Sequence, residues 1–177
     1  MSKIQMRFAG TGGQGMMLIG DLMAYALGMK EDKEIVELKS YGPEARGGAC
    51  RSEVIADEEK ISYPAITTLT FLLSMSQLSY DSYTDDADDK TVILVDSDLV
   101  TKTNDKFSFT YKVPLTKLAS EKCGKAICAN IVALGALCKI TRLISKEKMI
   151  EVLKEKLNPK ILELNLRAFE VGWEAID

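Results

Sequence analysis

The 177-residue sequence contains no histidine. That excludes a Ser-His-Asp triad, a Cys-His dyad, a histidine general base and any histidine-ligated metal. Cysteine is scarce: Cys50, Cys123, Cys128 and Cys138 fit neither a CxxC pair nor a ferredoxin run, so they read as small apolar residues and no iron–sulfur cluster or other metal is expected on this chain alone. Basic excess is missing too: 23 Lys and Arg stand against 26 Asp and Glu, for a net charge of −3, which argues against nucleic-acid binding. No apolar run approaches the roughly 18 residues of a membrane span. Residues 1–10 carry no charged-then-apolar leader, so the expectation is a cytoplasmic chain with no membrane contact. Low-complexity tracts, repeats and linkers are absent, and one domain over residues 1–177 is expected.

What is present reads as alternating strands and helices. Ile4, Met6 and Phe8 recur at strand period. A glycine-rich stretch, Gly10-Thr11-Gly12-Gly13-Gln14-Gly15, interrupts them, and Met16, Ile19, Met23, Ala26 and Leu27 follow at helical spacing with Gly28 as a stop. Residues 34–38 are a second strand, which makes the opening a Rossmann-like βαβ unit with a parallel pair. Residues 51–56 and 61–63, separated by the turn 57–60, read as a hairpin. Residues 69–75 and 91–95 are apolar runs suited to strands buried on both faces, and residues 107–113 alternate.

Helices account for the rest: 77–83, 116–122, an apolar core helix over 126–140, one capped by Ser145, and one opened by Asn158-Pro159 with Leu162, Leu166, Phe169, Trp173 and Ile176 along its core stripe. The fold class expected is α/β, a three-layer α/β/α arrangement on a mostly parallel sheet, with the hairpin added. The acidic cluster Asp81, Asp85, Asp86, Asp88 and Asp89 reads as a solvated helix end or a docking surface.

Residues 10–15 fit GxGxxG. Glycines permit a tight turn and close backbone approach, and the following helix start offers free N–H groups and a positive dipole end to an anion. The same residues could also serve only to pack helix on strand. A dinucleotide would want an acidic residue ending the second strand, where Leu38-Lys39-Ser40 stands instead. Another phosphate-bearing ligand suits the loop better. Residues 40–48, at the carboxyl end of the second strand, supply an aromatic face at Tyr41 and a cationic fork at Arg46, with Gly47-Gly48 allowing close approach. The plain alternative is a surface loop in which Arg46 pairs with Glu44. Asn130 lies inside the apolar helix and must find partners there, as a clamp between loops or facing a ligand or another subunit. Asn165 and Arg167 read as exposed or capping residues. Asp96 and Asp98 read as caps at a strand end rather than as an acid–base pair.

Taken together, Gly10-x-Gly12-Gly13-Gln14-Gly15, Ser40-Tyr41-Gly42-Pro43-Glu44-x-Arg46-Gly47-Gly48, Tyr63-Pro64, Ala129-Asn130-x-Val132-x-Leu134-Gly135 and Asn165-x-x-Ala168-Phe169-x-x-Gly172 resemble the gamma subunits of 2-oxoacid:ferredoxin (2-oxoacid:acceptor) oxidoreductases over about residues 3–174. The resemblance implies an enzyme subunit, inactive alone, in a complex that decarboxylates a 2-oxoacid on thiamine diphosphate, passes electrons through iron–sulfur clusters to ferredoxin or a similar acceptor, and releases an acyl-CoA. Thiamine diphosphate and the clusters would sit on the alpha, beta and delta-type partner subunits. The sequence agrees in having no GDG-and-Asn motif for the thiamine pyrophosphate. The resemblance implies that this chain packs on those partners and helps hold coenzyme A. The site residues so implied are Gly10, Gly12, Gly13, Gln14, Gly15, Ser40, Tyr41, Arg46, Gly47 and Asn130, with no catalytic residue. Leu73-Ser74-Met75-Ser76-Gln77 and Tyr80 are more similar to the 2-oxoglutarate branch than to the pyruvate branch. The alternatives are the beta subunit of indolepyruvate:ferredoxin oxidoreductase, a free-standing nucleotide-binding protein, and a pure scaffold. A homodimer is expected of the isolated chain, whose partner-facing surface would be bare.

Overall fold

A computed structural model describes residues 3–42 and 48–177. Among the described residues six strands form one sheet: β1 (Ile4–Thr11), β2 (Glu34–Tyr41), β3 (Ala49–Asp57), β4 (Phe71–Ser74), β5 (Val92–Asp96) and β6 (Phe109–Val113), in the spatial order β2-β3-β1-β4-β5-β6. β1, β4, β5 and β6 pair in parallel, and β3 alone runs against its neighbours. The helices are α1 (Met16–Lys30), α2 (Gln77–Tyr83), α3 (Leu115–Cys123), α4 (Ala129–Thr141), α5 (Lys146–Lys156) and α6 (Pro159–Glu174). The expected α/β class on a mostly parallel sheet is what the chain forms.

Two details of the opening differ from the sequence reading. β1 and β2 point the same way but are not neighbours, because β3 lies between them and pairs with both. The hairpin is therefore β2–β3, one strand earlier than expected. Residues 61–63 form no strand: both edges of β3 are already taken, so no ladder remains for them to join. Helix α1 also passes through Gly28 to Lys30, and the chain turns instead at Asp32, in a left-handed conformation with φ 52°.

β1 is central, and both of its faces are buried. Met6 and Phe8 join the larger core, built with α1, α3, α4, α5 and α6; Ala9 joins the smaller one, with Tyr80 of α2, Leu72 and Ile93. The polar residues that suggested a half-exposed strand are buried with partners. Gln5 Oε1 accepts from Thr67 N–H at 2.7 Å, and Arg7 donates to Glu53 at 2.7 Å, to the Tyr83 carbonyl at 3.0 Å and to Asp86 at 2.6 Å. Burial without such partners would be prohibitive. The acidic cluster is thus not wholly a solvated end, since Asp86 closes this network.

Residues 126–140 divide into a 3-10 turn, Ala126–Cys128, and α4, buried without a break from Ala129 to Cys138. Ser145 and Asn158 cap α5 and α6 as expected, accepting from the N–H groups of Lys148 and Lys160. The buried face of α6 is Asn165, Ala168, Phe169 and Gly172; Leu162, Leu166, Trp173 and Ile176 flank it, half-buried. Asn165 is therefore neither exposed nor a cap, because it sits one turn from Phe169 on the inner face. Gly172 and Gly135 mark the α4–α6 crossing. A Cβ on Gly172 would lie 1.8 Å from the Val132 carbonyl oxygen, and one on Gly135 2.0 Å from that of Phe169. The two backbones touch.

Candidate functional site at the sheet's carboxyl edge

β1 and β4 are parallel neighbours, yet the chain leaves them in opposite directions. After β1 it crosses through α1, over the larger core, toward β2; after β4 it crosses through α2, over the smaller core, to β5. Their carboxyl ends thus form the kind of switch point at which open α/β sheets leave a crevice for ligands.

Gln14 spans that crevice. Its Oε1 accepts from Thr11 N–H at 2.8 Å, and its Nε2 donates to the Met75 carbonyl at 2.9 Å. The side chain ties the loop after β1 to the loop after β4 and fixes the glycine turn. Gly13 (φ 91°) and Gly15 (φ 77°) take conformations that a Cβ would strain, and Gly15 is the N-cap of α1. Among the described residues no side chain caps this helix, and its first turn holds no acidic residue. The first N–H groups of α1 have no intrahelical partner, and no carboxylate of its own first turn faces its positive dipole end.

Two pockets flank this helix start, sharing Gly13, Ile127 and Asn130. The first, about 210 Å³, is completed by Gln14, Met75, Leu99, Thr116, Ala126 and Ala129. The second, about 340 Å³, is the more apolar and reaches Leu157, Ile161, Leu164 and Asn165, with Lys125 at its margin. Asn130, 8% exposed, stands between them. Its Oδ1 accepts from Ile131 N–H at 2.9 Å, and its Nδ2 packs where a Gly15 side chain would be, 2.3 Å from that Cβ position.

Asp96 shapes the far wall. It ends β5 fully buried and accepts from both the N–H and the hydroxyl of Thr116 and from Asp98 N–H. Pro114, the N-cap of α3, makes no side-chain cap, so Asp96 supplies one from another element. Burial raises the Asp96 carboxyl above the ordinary range. The folded protein then holds this proton to higher pH than the unfolded chain, so the Asp96 contribution to stability is largest at low pH and falls as pH climbs from about 4, the ordinary aspartate value, through the raised one. Denaturant unfolding of the protein and of Asp96→Asn should accordingly show the unmutated chain gaining on the variant as pH drops from about 7 to 4; a gap constant across that range would contradict this.

Of the residues singled out in the sequence, Gly13, Gln14, Gly15 and Asn130 come together, with Gly12 in the same turn and Gly10 near the end of β1 that leads into it. Ser40 and Tyr41 do not join them. They end β2 beyond β3, so Tyr41 lies two strands, about 10 Å, from Gly10, and it is 73% exposed. Arg46 and Gly47 lie outside the described residues. The inserted β3 also removes the geometry of a dinucleotide fold, since Glu37 and Lys39 of β2 are not beside the glycine turn. Sequence reasoning missed Thr116, Lys125, Ile127 and Asn165. A signal existed for one of them: Asn165 lies four residues before Phe169 on a helix with an apolar stripe.

The sequence profile of pyruvate ferredoxin/flavodoxin oxidoreductases matches residues 5–175. The 2-oxoglutarate synthase subunit KorC of Methanocaldococcus jannaschii is 42% identical over 172 residues, covering 96% of this chain and 92% of its own. The gamma subunit of a keto/oxoacid ferredoxin oxidoreductase from Geobacter sulfurreducens superposes with a TM-score of 0.87 at 37% identity, covering 99% and 97% of the two chains. A 2-oxoglutarate:ferredoxin oxidoreductase from Magnetococcus marinus, solved with 2-oxoglutarate, coenzyme A and succinyl-CoA bound, gives 0.88 at 26% identity; there the match covers 99% of this chain but 31% of the longer one. The chain belongs to the pyruvate ferredoxin/flavodoxin oxidoreductase family, as a gamma-type subunit of a 2-oxoacid:ferredoxin oxidoreductase.

Proposed function

We propose that this chain is the gamma subunit of a 2-oxoglutarate:ferredoxin oxidoreductase, which converts 2-oxoglutarate and coenzyme A to succinyl-CoA and carbon dioxide and passes two electrons to ferredoxin. Its own task is to contact coenzyme A and to pack against the alpha, beta and delta-type subunits. The substrate assignment is supported by the resemblance to KorC along nearly the full length of both chains. The observation that carries the coenzyme A contact is the start of α1, uncapped by any side chain among the described residues and without an acidic residue in its first turn, facing two pockets at the switch point, with Lys125 lining the second. That arrangement fits the phosphates of coenzyme A, which want N–H donors and a cation.

Thiamine diphosphate and the clusters belong to the partner subunits. The four free thiols here stand in β3, at the end of α3, before α4 and inside α4, and burial raises all of them above the ordinary thiol range, which disfavours the thiolates that a cluster requires. Subunit packing is supported by the apolar residues left open around the pockets: Ile127 is 75% exposed and Ile161 46%. The same bare surface supports self-association of the isolated chain.

In the assembled oxidoreductase, Lys125→Glu and Gly13→Asp each place a negative charge at the helix start. A Cβ at Gly13 meets nothing within 4 Å, so the aspartate adds no clash, only the backbone strain of about 1 kcal/mol that φ 91° imposes, and Lys125→Glu carries the test free of that strain. Each variant is expected to raise the KM for coenzyme A about tenfold while kcat in viologen reduction with 2-oxoglutarate stays within about twofold. An unchanged KM in both would sink the coenzyme A assignment.

A further inference from the structure

One arginine near the sheet's carboxyl edge has nothing to bond. Arg51 stands on β3, on the same face as Glu53. The Glu53 carboxylate is already taken: Arg7 Nε donates to its Oε1 at 2.7 Å, and Arg7 Nη2 lies 2.7 Å from the same oxygen. Arg51 Nε comes within 3.2 Å of that oxygen, yet it is the one buried side-chain nitrogen or oxygen without a hydrogen bond among the described residues. The terminal nitrogens of Arg51 make none among those residues either, and the side chain is 33% exposed.

The guanidinium is nevertheless held in place. It lies over the Tyr83 ring, 4.9 Å from the centroid. Tyr83 is itself tied down, its hydroxyl donating to the Ala49 carbonyl at 3.2 Å and its own carbonyl accepting from Arg7 at 3.0 Å. A fork resting on an anchored ring has already lost much of the rotamer freedom that binding would otherwise cost. Ser40, on the edge strand β2, is the cross-strand partner of Arg51, so its side chain shares that face. Ser40 is exposed, and its hydroxyl makes no hydrogen bond among the described residues. A planar set of N–H donors and a hydroxyl donor thus stand side by side.

That donor set recognises an oxyanion, and one guanidinium balances one negative charge. A phosphate dianion would be repelled by the carboxylates of Glu53 and Asp86 close by; a single carboxylate is repelled less. Neither pocket at the helix start takes in Arg51, Ser40 or Tyr83, so a small molecule gains no enclosure from them here. A protein surface laid across the strand end supplies its own cover. Next along β2, Tyr41 is 73% exposed, and interfaces are rich in tyrosine and arginine.

We propose that Arg51, backed by Tyr83 and flanked by Ser40, is a docking fork for an aspartate or glutamate side chain of a partner subunit in the oxidoreductase. This rests on the reading of the chain as one subunit of that complex, and not on the coenzyme A contact. The contact falls on β2 and β3, away from the crevice between β1 and β4.

The test is dilution of the assembled oxidoreductase, with native mass spectrometry reading the concentration at which half of this chain is released. Arg51→Gln should raise that concentration about tenfold, and Arg51→Lys, which keeps the charge but loses the planar fork, about fivefold. Ser40→Ala should raise it about two- to threefold. Added salt should promote release from the unmutated complex more than from the Arg51→Gln complex. The thermal midpoint of the isolated Arg51→Gln chain should stay within about 3 °C of the unmutated one, since no hydrogen bond is lost. A merely structural role would give the reverse, a lower midpoint with unchanged release.

Unchanged release in both Arg51 variants would overturn the docking fork. So would acetate or inorganic phosphate raising the midpoint of the isolated chain but not of Arg51→Gln, with release unchanged; the fork would then serve a free anion. A homodimer of the isolated chain weakened by Arg51→Gln, again with release unchanged, would overturn it in favour of a second copy. An unmutated chain that joins no thiamine diphosphate- and iron-containing subunits would remove the subunit reading, and this inference with it.

Discussion

Gly172→Ala should lower the thermal unfolding midpoint by roughly 6–12 °C, corresponding to about 3 kcal/mol for a chain of this size. The added methyl would sit 1.8 Å from the Val132 carbonyl oxygen, and that atom belongs to the backbone of α4. No rotamer relieves such a clash; the helices must separate. Because α4 is buried along nearly its whole length, the separation would spread into the larger core. Gly135→Ala, reciprocal across the same crossing, should do similar damage. Gly124→Ala is the control. That glycine also has a positive φ, 74°, but a Cβ there meets nothing within 4 Å, so only backbone strain of about 1 kcal/mol is expected, or roughly 2–4 °C. Calorimetry on the three variants would decide it. A Gly172→Ala midpoint no lower than that of Gly124→Ala would mean that the helices can part freely.

Arg7→Met is expected to cost about 3 kcal/mol in denaturant unfolding, since it leaves the Glu53 carboxylate buried without its aligned partner. Both side chains are more than nine-tenths buried in the smaller-core face of the sheet. Arg51 is also near, its Nε 3.2 Å from the same carboxylate oxygen, but that nitrogen makes no hydrogen bond and its side chain is partly exposed. It softens the loss without replacing Arg7. The double variant Arg7→Met/Glu53→Leu should recover most of the stability, because it removes the stranded charge as well. Asp86, the outer partner, is half exposed, so losing its bond adds little. If the single variant cost less than about 1 kcal/mol, or if the double variant were the worse of the two, the network would not be the clamp described.

What could be read from the sequence was what neighbouring residues decide among themselves. The glycine turn and the caps Ser145 and Asn158-Pro159 are local, and each formed where the pattern placed it; the apolar run of α4 is local too, although its first three residues form a 3-10 turn instead. Strand order is not local. Nothing in residues 34–57 announces that β3 inserts between β1 and β2, because either arrangement buries the same apolar residues and only pairing over distance separates them. Polar residues misled for a related reason. Arg7 and Gln5 look like the wet side of a strand until Glu53, Asp86 and Thr67 are known to reach them. At the site, Gln14 and Asn130 were visible because polar residues stood out beside glycine or within an apolar helix. Thr116, Lys125 and Ile127 are ordinary residues in ordinary contexts, made special by where α3 and α4 begin.

The central position of β1 also has a bearing on how the chain is made. It is synthesised before its partners β3 and β4, with Phe71 of β4 paired to Met6. At typical rates of about 5–20 residues per second, the roughly 65 residues between those two take about 3–13 s to emerge. For that interval Ile4, Met6 and Phe8 have α1 to cover them and no strand on at least one side. A nascent chain in this state presents an unpaired, apolar edge, the form most open to wrong partners. The middle strand thus waits for both of its neighbours, and early translation is the time at which this subunit most needs shelter.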